Sequence, residues 1–430
     1  LLALALVGAC AVPTDTATDR VALGKAPAGP TVTATDPPGA PQDTVLDVHV
    51  TGSGFDRGSK VAFVRNGIVD PKLHVNGTSY RTSGELIANV TIAADAATIA
   101  YDVMVTTSSG KKGIGTELFA VEVPFEPLDA PAGFSDTYDA GPSGLISGRV
   151  TTSCSPGWTP AVWDVNRSLT ALPALPGTCG GVARGVNGAG VAVGSAYIGT
   201  SRSLPARWLP GPSGYTVEQL PPLPGGKDPG PWAINESGWI GAGNDAAVWT
   251  PTTGWQLALK PAGATSCTAT QVGNGGQIIA SCLIGGLGQP VFWATISSPP
   301  TLLPLPSGAT GAHPKAVSAA GVVVGFSTGS GFRAVRWTSS SGAWTAEFLP
   351  DLGRGGSALA MNEAGEIAGS VNGTFNFSRP AWWTAAGELQ LLSTGNRPGE
   401  AIGISEPEAG RVIAGYYSGK SNKSAIRWRP

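Results

Sequence analysis

Seven tryptophans recur at nearly constant spacing through the last three hundred or so residues. Trp163, Trp208, Trp249, Trp293, Trp337, Trp383 and Trp428 lie 45, 41, 44, 44, 46 and 45 residues apart. Each closes a similar short run, as in Pro160-Ala161-Val162-Trp163 and Pro205-Ala206-Arg207-Trp208. A fixed period of this size marks one supersecondary unit used repeatedly, and such a unit buries its apolar faces only by stacking on its neighbours. About 25 residues before most of the tryptophans comes a turn: Gly141–Gly144, Asn187–Gly190, Asn235–Gly238, Gly273–Gly276, Ser318–Gly321 and Asn362–Gly365. In most of them Asn or Ser leads and Gly closes; the short side chain can accept a backbone N–H, and Gly takes positive φ at low cost. Apolar strand sequence follows directly, as in Gly321-Val322-Val323-Val324-Gly325. After the tryptophans come Leu-Pro stretches, as in Leu172–Gly177, Leu220–Gly225, Leu303–Gly308 and Leu349–Gly353.

Each unit therefore reads as four strands: A before the turn, B after it, C carrying the Trp, and D ending in Leu-Pro. Helices have little room, because 62 Gly and 36 Pro punctuate 430 residues, and each costs a helix interior about 1 to 3 kcal/mol. Four antiparallel strands at this period predict an all-β fold with a seven-bladed β-propeller over residues 124–430. The last unit stops at Pro430 without a strand D. Phe125–Pro131 resembles a D strand and precedes the first unit, so the ring is expected to be closed by an N-terminal strand.

Residues 31–123 alternate short apolar stretches with Gly and Asp turns. Candidate strands are Leu46–Val50, Val61–Val64, Leu73–Val75, Leu86–Ile92, Tyr101–Thr106 and Leu118–Val123. That spacing predicts a single Ig-like β-sandwich. Residues Leu1 to Ala9 are apolar, and Cys10 follows. The run is too short to span a bilayer and reads as the remnant of a signal peptide. Residues 10–30, rich in Pro, Ala and Thr, read as a tether.

Three resemblances follow from these residues. Leu6-Val7-Gly8-Ala9-Cys10 resembles a bacterial lipoprotein lipobox, which implies lipidation of Cys10, anchoring to a membrane and an exported address at the cell envelope or surface. An ordinary signal whose cleavage site adjoins a cysteine is the alternative. Val50-Thr51-Gly52-Ser53-Gly54-Phe55, with Tyr101-Asp102-Val103-Met104-Val105, resembles the IPT/TIG immunoglobulin-like domains. The repeat, through Ala233-Ile234-Asn235, Ala316-Val317-Ser318 and Ala360-Met361-Asn362, resembles the bacterial extracellular HAF repeats. That family implies a secreted or surface location and no defined chemistry, and its His-Ala-Phe triplet is absent here.

Giving Cys10 to a lipid leaves an even set of four cysteines, which suits an oxidising compartment. Cys267 and Cys282 flank the turn at 273–276 symmetrically and are expected to face each other across strands A and B. Cys154 and Cys179 fall in loops of one face, so a Cys154–Cys179 bond is geometrically open. No C-x-x-C spacing occurs, and the histidines are His49, His74 and His313, so no metal or cofactor is expected. Net charge is −2, which leaves no basic excess for nucleic acid.

The repeat tryptophans read as packing residues. Three residues before each turn, strand A carries Tyr138, Arg184, Trp232, Thr270, Lys315, Leu359 and Ile402, a position too varied for packing to dictate. Tyr138, Arg184, Trp232 and Lys315 are candidates for an aromatic and basic pocket that takes an anionic or sugar ligand; the alternative is that each fits its own gap or faces solvent. Loops between strands B and C vary most, so the face they form is the expected binding face, with Trp158 on it. No paired-carboxylate, G-x-S-x-G, H-E-x-x-H or P-loop signature stands out, and no catalytic residue is assigned. The expected role is a non-catalytic binding module for a polysaccharide or protein partner. A glycan-active lyase or hydrolase at the propeller face and a structural surface module are the alternatives.

Overall fold

The structure, a computed structural model, describes residues 29–131, 133–151, 157–199, 202–243, 245–373, 378–395, 397–419 and 422–430. Residues 1–9, Cys10, the tether up to residue 28 and Cys154 lie outside these. Among the described residues there is no α-helix, and a single 3-10 turn occupies Pro407–Ala409. The fold is all-β and propeller-like.

Two facing sheets make up the N-terminal part. Thr31–Asp36, Thr44–Ser53, Glu85–Ile92 and Leu73–Thr82 form one, in that order. Gly39–Pro41, Lys112–Glu122, Ala100–Thr106, Lys60–Arg65 and Ile68–Val69 form the other. Strict alternation of buried and partly exposed residues along Glu85–Ile92 sends Leu86, Ala88, Val90 and Ile92 into the core, where they join Phe63, Tyr101 and Phe119. All six expected strands are present. The strands at 31–36 and 39–41 carry few large apolar residues, and the one at 68–69 is only two residues long, so these three are visible only in the pairing.

From Phe125 to Trp428 the described residues carry seven four-stranded antiparallel sheets. Their first strands are Ser135–Ala140, Gly181–Val186, Pro231–Ile234, Ala264–Val272, Ala309–Val317, Gly356–Met361 and Gly399–Ile404; they number the sheets one to seven below. Sheets one to six take their four strands consecutively. The seventh takes its outer strand from Phe125–Pro127, which pairs antiparallel with Lys423–Trp428 (Phe125 opposite Trp428). Sheet seven also packs on sheet one. Thr137 Oγ1 donates to the Gly415 carbonyl at 2.9 Å, and a Cβ on Gly403 would meet the Ala140 nitrogen at 2.2 Å, so only Gly allows the two inner strands to approach so closely.

One hydrogen bond explains the pairing of Trp with Leu-Pro in the repeat. The indole N–H of Trp208 donates to the Pro173 carbonyl, Trp337 to Pro304 and Trp383 to Pro350, each at 2.8 Å. Trp163, Trp293 and Trp428 reach Asp129, Leu259 and Ser393 in the same way. A buried indole thus fills the space between sheets while its single polar atom is satisfied by the preceding unit. The third sheet differs. Trp249 is 8% exposed, and Trp255 makes the bond, to the Pro221 carbonyl at 2.7 Å.

The turn asparagines also stitch neighbouring sheets together. Asn187, Asn235 and Asn362 donate from Nδ2 to the carbonyls of Asn235, Gly273 and Ser405, each on the next sheet. Cys267 and Cys282 are directly opposed, with Cα atoms 4.0 Å apart, and form a disulfide; this is the close approach of a non-hydrogen-bonded pair. Cys179 is also disulfide-bonded, and its expected partner Cys154 lies outside the described residues.

Candidate functional site

In all seven sheets the pairing of the first two strands slips by one residue at the same place. The slips fall between Thr137 and Asp139, Ala183 and Gly185, Pro231 and Ala233, Ala269 and Gln271, Pro314 and Ala316, Ala358 and Ala360, and Ala401 and Gly403. The skipped residues are Tyr138, Arg184, Trp232, Thr270, Lys315, Leu359 and Ile402, which are the varied position of the repeat. A bulge residue leaves the ladder, so its side chain is free of the partner strand and is re-aimed. All seven line one cavity of about 320 Å³.

Two cations stand among aromatic rings at this level. Arg184 Cζ lies 4.2 Å from the centroid of the Trp232 ring and 5.1 Å from that of Tyr138. Lys315 Nζ lies 5.5 Å from the ring of Phe326. Burial holds the Lys315 ammonium below the usual lysine range, and the charge of Glu400 works against that. Among the described residues neither Arg184 nor Lys315 has a carboxylate within ion-pair distance. Elsewhere Arg149, Arg379, Arg411 and Arg427 all have one, in Asp136, Glu122, Glu366 and Glu126.

Acids occupy the turn end of the same cavity. Glu236 accepts the Gly188 N–H on both oxygens, at 2.9 and 3.1 Å. Glu363 accepts from Asn274 Nδ2 and the Ala319 N–H, both at 2.7 Å, and its own N–H donates to Glu406 at 2.8 Å. None of the three has a Lys or Arg in ion-pair distance among the described residues, and burial raises the Glu406 carboxyl. Between the two levels Asp139 sits in the wall, accepting the Val186 N–H at 3.4 Å. It keeps some surface toward the cavity but is enclosed by protein, and burial pushes its carboxyl up to about 7. Burial, together with the negative charge of Asp136, pushes the Tyr138 phenol up to about 12.

Four of the five candidate ligand residues, Tyr138, Arg184, Trp232 and Lys315, therefore share one cavity, and Trp158 does not line it. Trp158 opens the third strand of sheet one opposite Thr151, and its ring packs on Phe134 (4.6 Å) and under Arg149 (4.2 Å). Arg149 in turn lies 5.5 Å from the Tyr138 ring, so Trp158 touches the site through one intermediary. The cavity walls come from first strands and their turns, the uniform end of the repeat, and not from the variable loops. Asp139 and the turn acids are not singled out by the sequence reading. The Asn-Glu pairs at 235–236 and 362–363 are the signal that marks two of them.

The arrangement suits holding a charged ligand. Ser281 Oγ lies 2.9 Å from His313 Nδ1. Among the described residues, however, no carboxylate is bonded to the other ring nitrogen, so that pair has no orienting group for acyl transfer. Among the described residues no group of His, Cys, Asp and Glu is disposed to hold a metal ion.

No protein-family model matches the chain, and no curated protein matches it. Similar solved structures include a protein of unknown function from Bacteroides thetaiotaomicron, 12% identical over 94% of this chain and 99% of that one, TM-score 0.41. The S511A mutant of puromycin hydrolase is 12% identical over 71% of this chain and 55% of its own, TM-score 0.48. The β-propeller domain of the trilobed protease from Pyrococcus furiosus is 6% identical over 93% and 96%, TM-score 0.31.

Proposed function

We propose that the chain is an exported, non-catalytic binding module: a seven-bladed propeller closed by Phe125–Pro127, carried on an Ig-like spacer and tethered through a lipid on Cys10. The seven sheets and the packing of the last on the first support the closed ring. The Cys267–Cys282 bond and the disulfide at Cys179, which we assign to Cys154, suit an oxidising address. The ligand brings an anionic group of a polysaccharide or protein partner to the bulge level of the cavity. One observation carries this reading. Arg184 and Lys315 are two half-buried cations held beside aromatic faces without a carboxylate, so an incoming anion completes them at little reorganisation cost.

Calorimetric titration with galacturonate oligomers and with short peptides tests it. Binding of either is expected, and Arg184→Gln with Lys315→Gln is expected to weaken it at least tenfold, since one charge-assisted hydrogen bond is worth about 1.5–3 kcal/mol. Absence of binding by both probes, or unchanged binding by the variant, overturns it.

A further inference from the structure

We infer that the cavity selects a zwitterion, a short free peptide bound with its carboxylate at Arg184 and Lys315 and its ammonium at the turn acids Glu236, Glu363 and Glu406. This rests on the anion site proposed above and adds the ligand's other end.

The charge layout of the cavity carries it. Trp232 and Glu236 belong to one strand and its turn, as do Leu359 and Glu363. Three or four residues of rise separate the two levels, on the order of 10 Å. A ligand spanning the cavity therefore meets positive charge at one end and negative charge at the other. An extended chain of three residues reaches about 10–11 Å, which matches the separation. The volume of about 320 Å³ holds a ligand of that size. A polyuronide would place a second carboxylate against Glu236 or Glu363, and that repulsion discriminates against it. The three acids can still accept. Among the described residues their partners are backbone N–H groups and the Asn274 amide, and an ionised carboxylate has about four lone-pair sites. Trp232, 44% exposed although it sits in the cavity wall, adds an apolar ring at the cation end, beside Arg184.

The test compares four probes on the intact chain by calorimetry: a free tripeptide, its N-acetylated form, its C-amidated form and a galacturonate trimer. The free tripeptide is expected to bind at least tenfold more tightly than either blocked form and than the trimer. Glu236→Gln is expected to remove the preference for the free over the N-acetylated peptide. Glu363→Gln is the second variant should the first fold poorly, and its expected effect is the same. Equal binding of free and N-acetylated peptide overturns the zwitterion while leaving the anion site standing. Tighter binding of the trimer overturns it in favour of a polyanion. Failure of all four probes overturns the anion site and the zwitterion together.

Discussion

Arg184 and Trp232 stand on neighbouring inner strands, and the guanidinium carbon lies 4.2 Å from the indole ring centroid. Each is the bulge residue of its own sheet. Neither is fixed by the ladder, and each limits the other's rotamers. The ring holds the cation in place while leaving its outer edge open, which is what an anion site needs before its ligand arrives.

Removing the ring therefore separates binding from folding. Trp232 fills no core cluster and is 44% exposed, so Trp232→Ala is expected to change stability by about 1 kcal/mol or less. Loss of a cation–π contact worth about 0.5–2 kcal/mol and of the ring face is expected to weaken anion binding roughly tenfold. Thermal melting and calorimetry on one preparation read both. A large fall in melting temperature with unchanged binding would make Trp232 a packing residue.

The turn asparagines give a prediction about the fold itself. Asn235 is 4% exposed; its Oδ1 accepts the N–H groups of Ser237 and Trp239 while Nδ2 reaches the Gly273 carbonyl of the next sheet at 2.9 Å. Asn235→Ala strands all three partners and is expected to cost about 2–4 kcal/mol in urea unfolding. Asn235→Asp keeps the two turn bonds, loses the one between sheets and sets a buried carboxylate oxygen against the Gly273 carbonyl, so a cost is expected here too. If Asp is as stable as Asn, the stitch contributes nothing.

How much of this could be read from the residues follows from what leaves a mark in them. A tryptophan at the same place in every unit has to be packing, and the six Trp indole bonds to the preceding unit bear that out. Cys267 and Cys282 are legible because a hairpin makes symmetric distance from a turn equivalent to facing. The exchange of roles between Trp249 and Trp255 is not, since both are tryptophans six residues apart. Nor are the bulges. A one-residue slip in pairing has no composition of its own, and its only trace is that Tyr138, Arg184, Trp232 and Lys315 occupy one position without resembling one another. Trp158 misleads because a loop-flanking aromatic looks free until Phe134 and Arg149 are seen to cover it.

Asp139 makes a pH prediction with a definite sign. Its folded carboxyl, at about 7, lies above the ordinary value near 3.9, so the folded chain holds a proton that the unfolded chain has released. The associated stability is complete below about pH 4 and is lost as pH rises through about 7. Because the carboxyl keeps some surface toward the cavity, a total of about 1–3 kcal/mol is expected. Above that pH the ionised group also opposes an anion at Arg184. Asp139→Asn is expected to flatten both the unfolding midpoint and the anion affinity between pH 5 and 8. A variant that tracks the parent across that range would place the proton elsewhere.

An ion pair adds to the backbone pairing of Phe125–Pro127 with Lys423–Trp428. Arg427 is 3% exposed; its Nε and Nη2 donate to Glu126 Oε2 at 2.8 and 2.7 Å, and Nη1 reaches the Val165 carbonyl of sheet one at 2.6 Å. Three segments remote in sequence thus meet on one guanidinium. Glu126→Ala leaves that buried cation with a single carbonyl, and an orphaned buried charge costs about 3–5 kcal/mol. Glu126 itself is 41% exposed on its side chain, so a smaller loss, about 2–3 kcal/mol, is expected in urea unfolding. Arg427→Met in the same background should recover much of it, because an apolar side chain leaves no charge to satisfy. If Glu126→Ala costs less than about 0.5 kcal/mol, the Phe125–Pro127 strand is held by its backbone ladder to Lys423–Trp428 and the ion pair adds nothing to it.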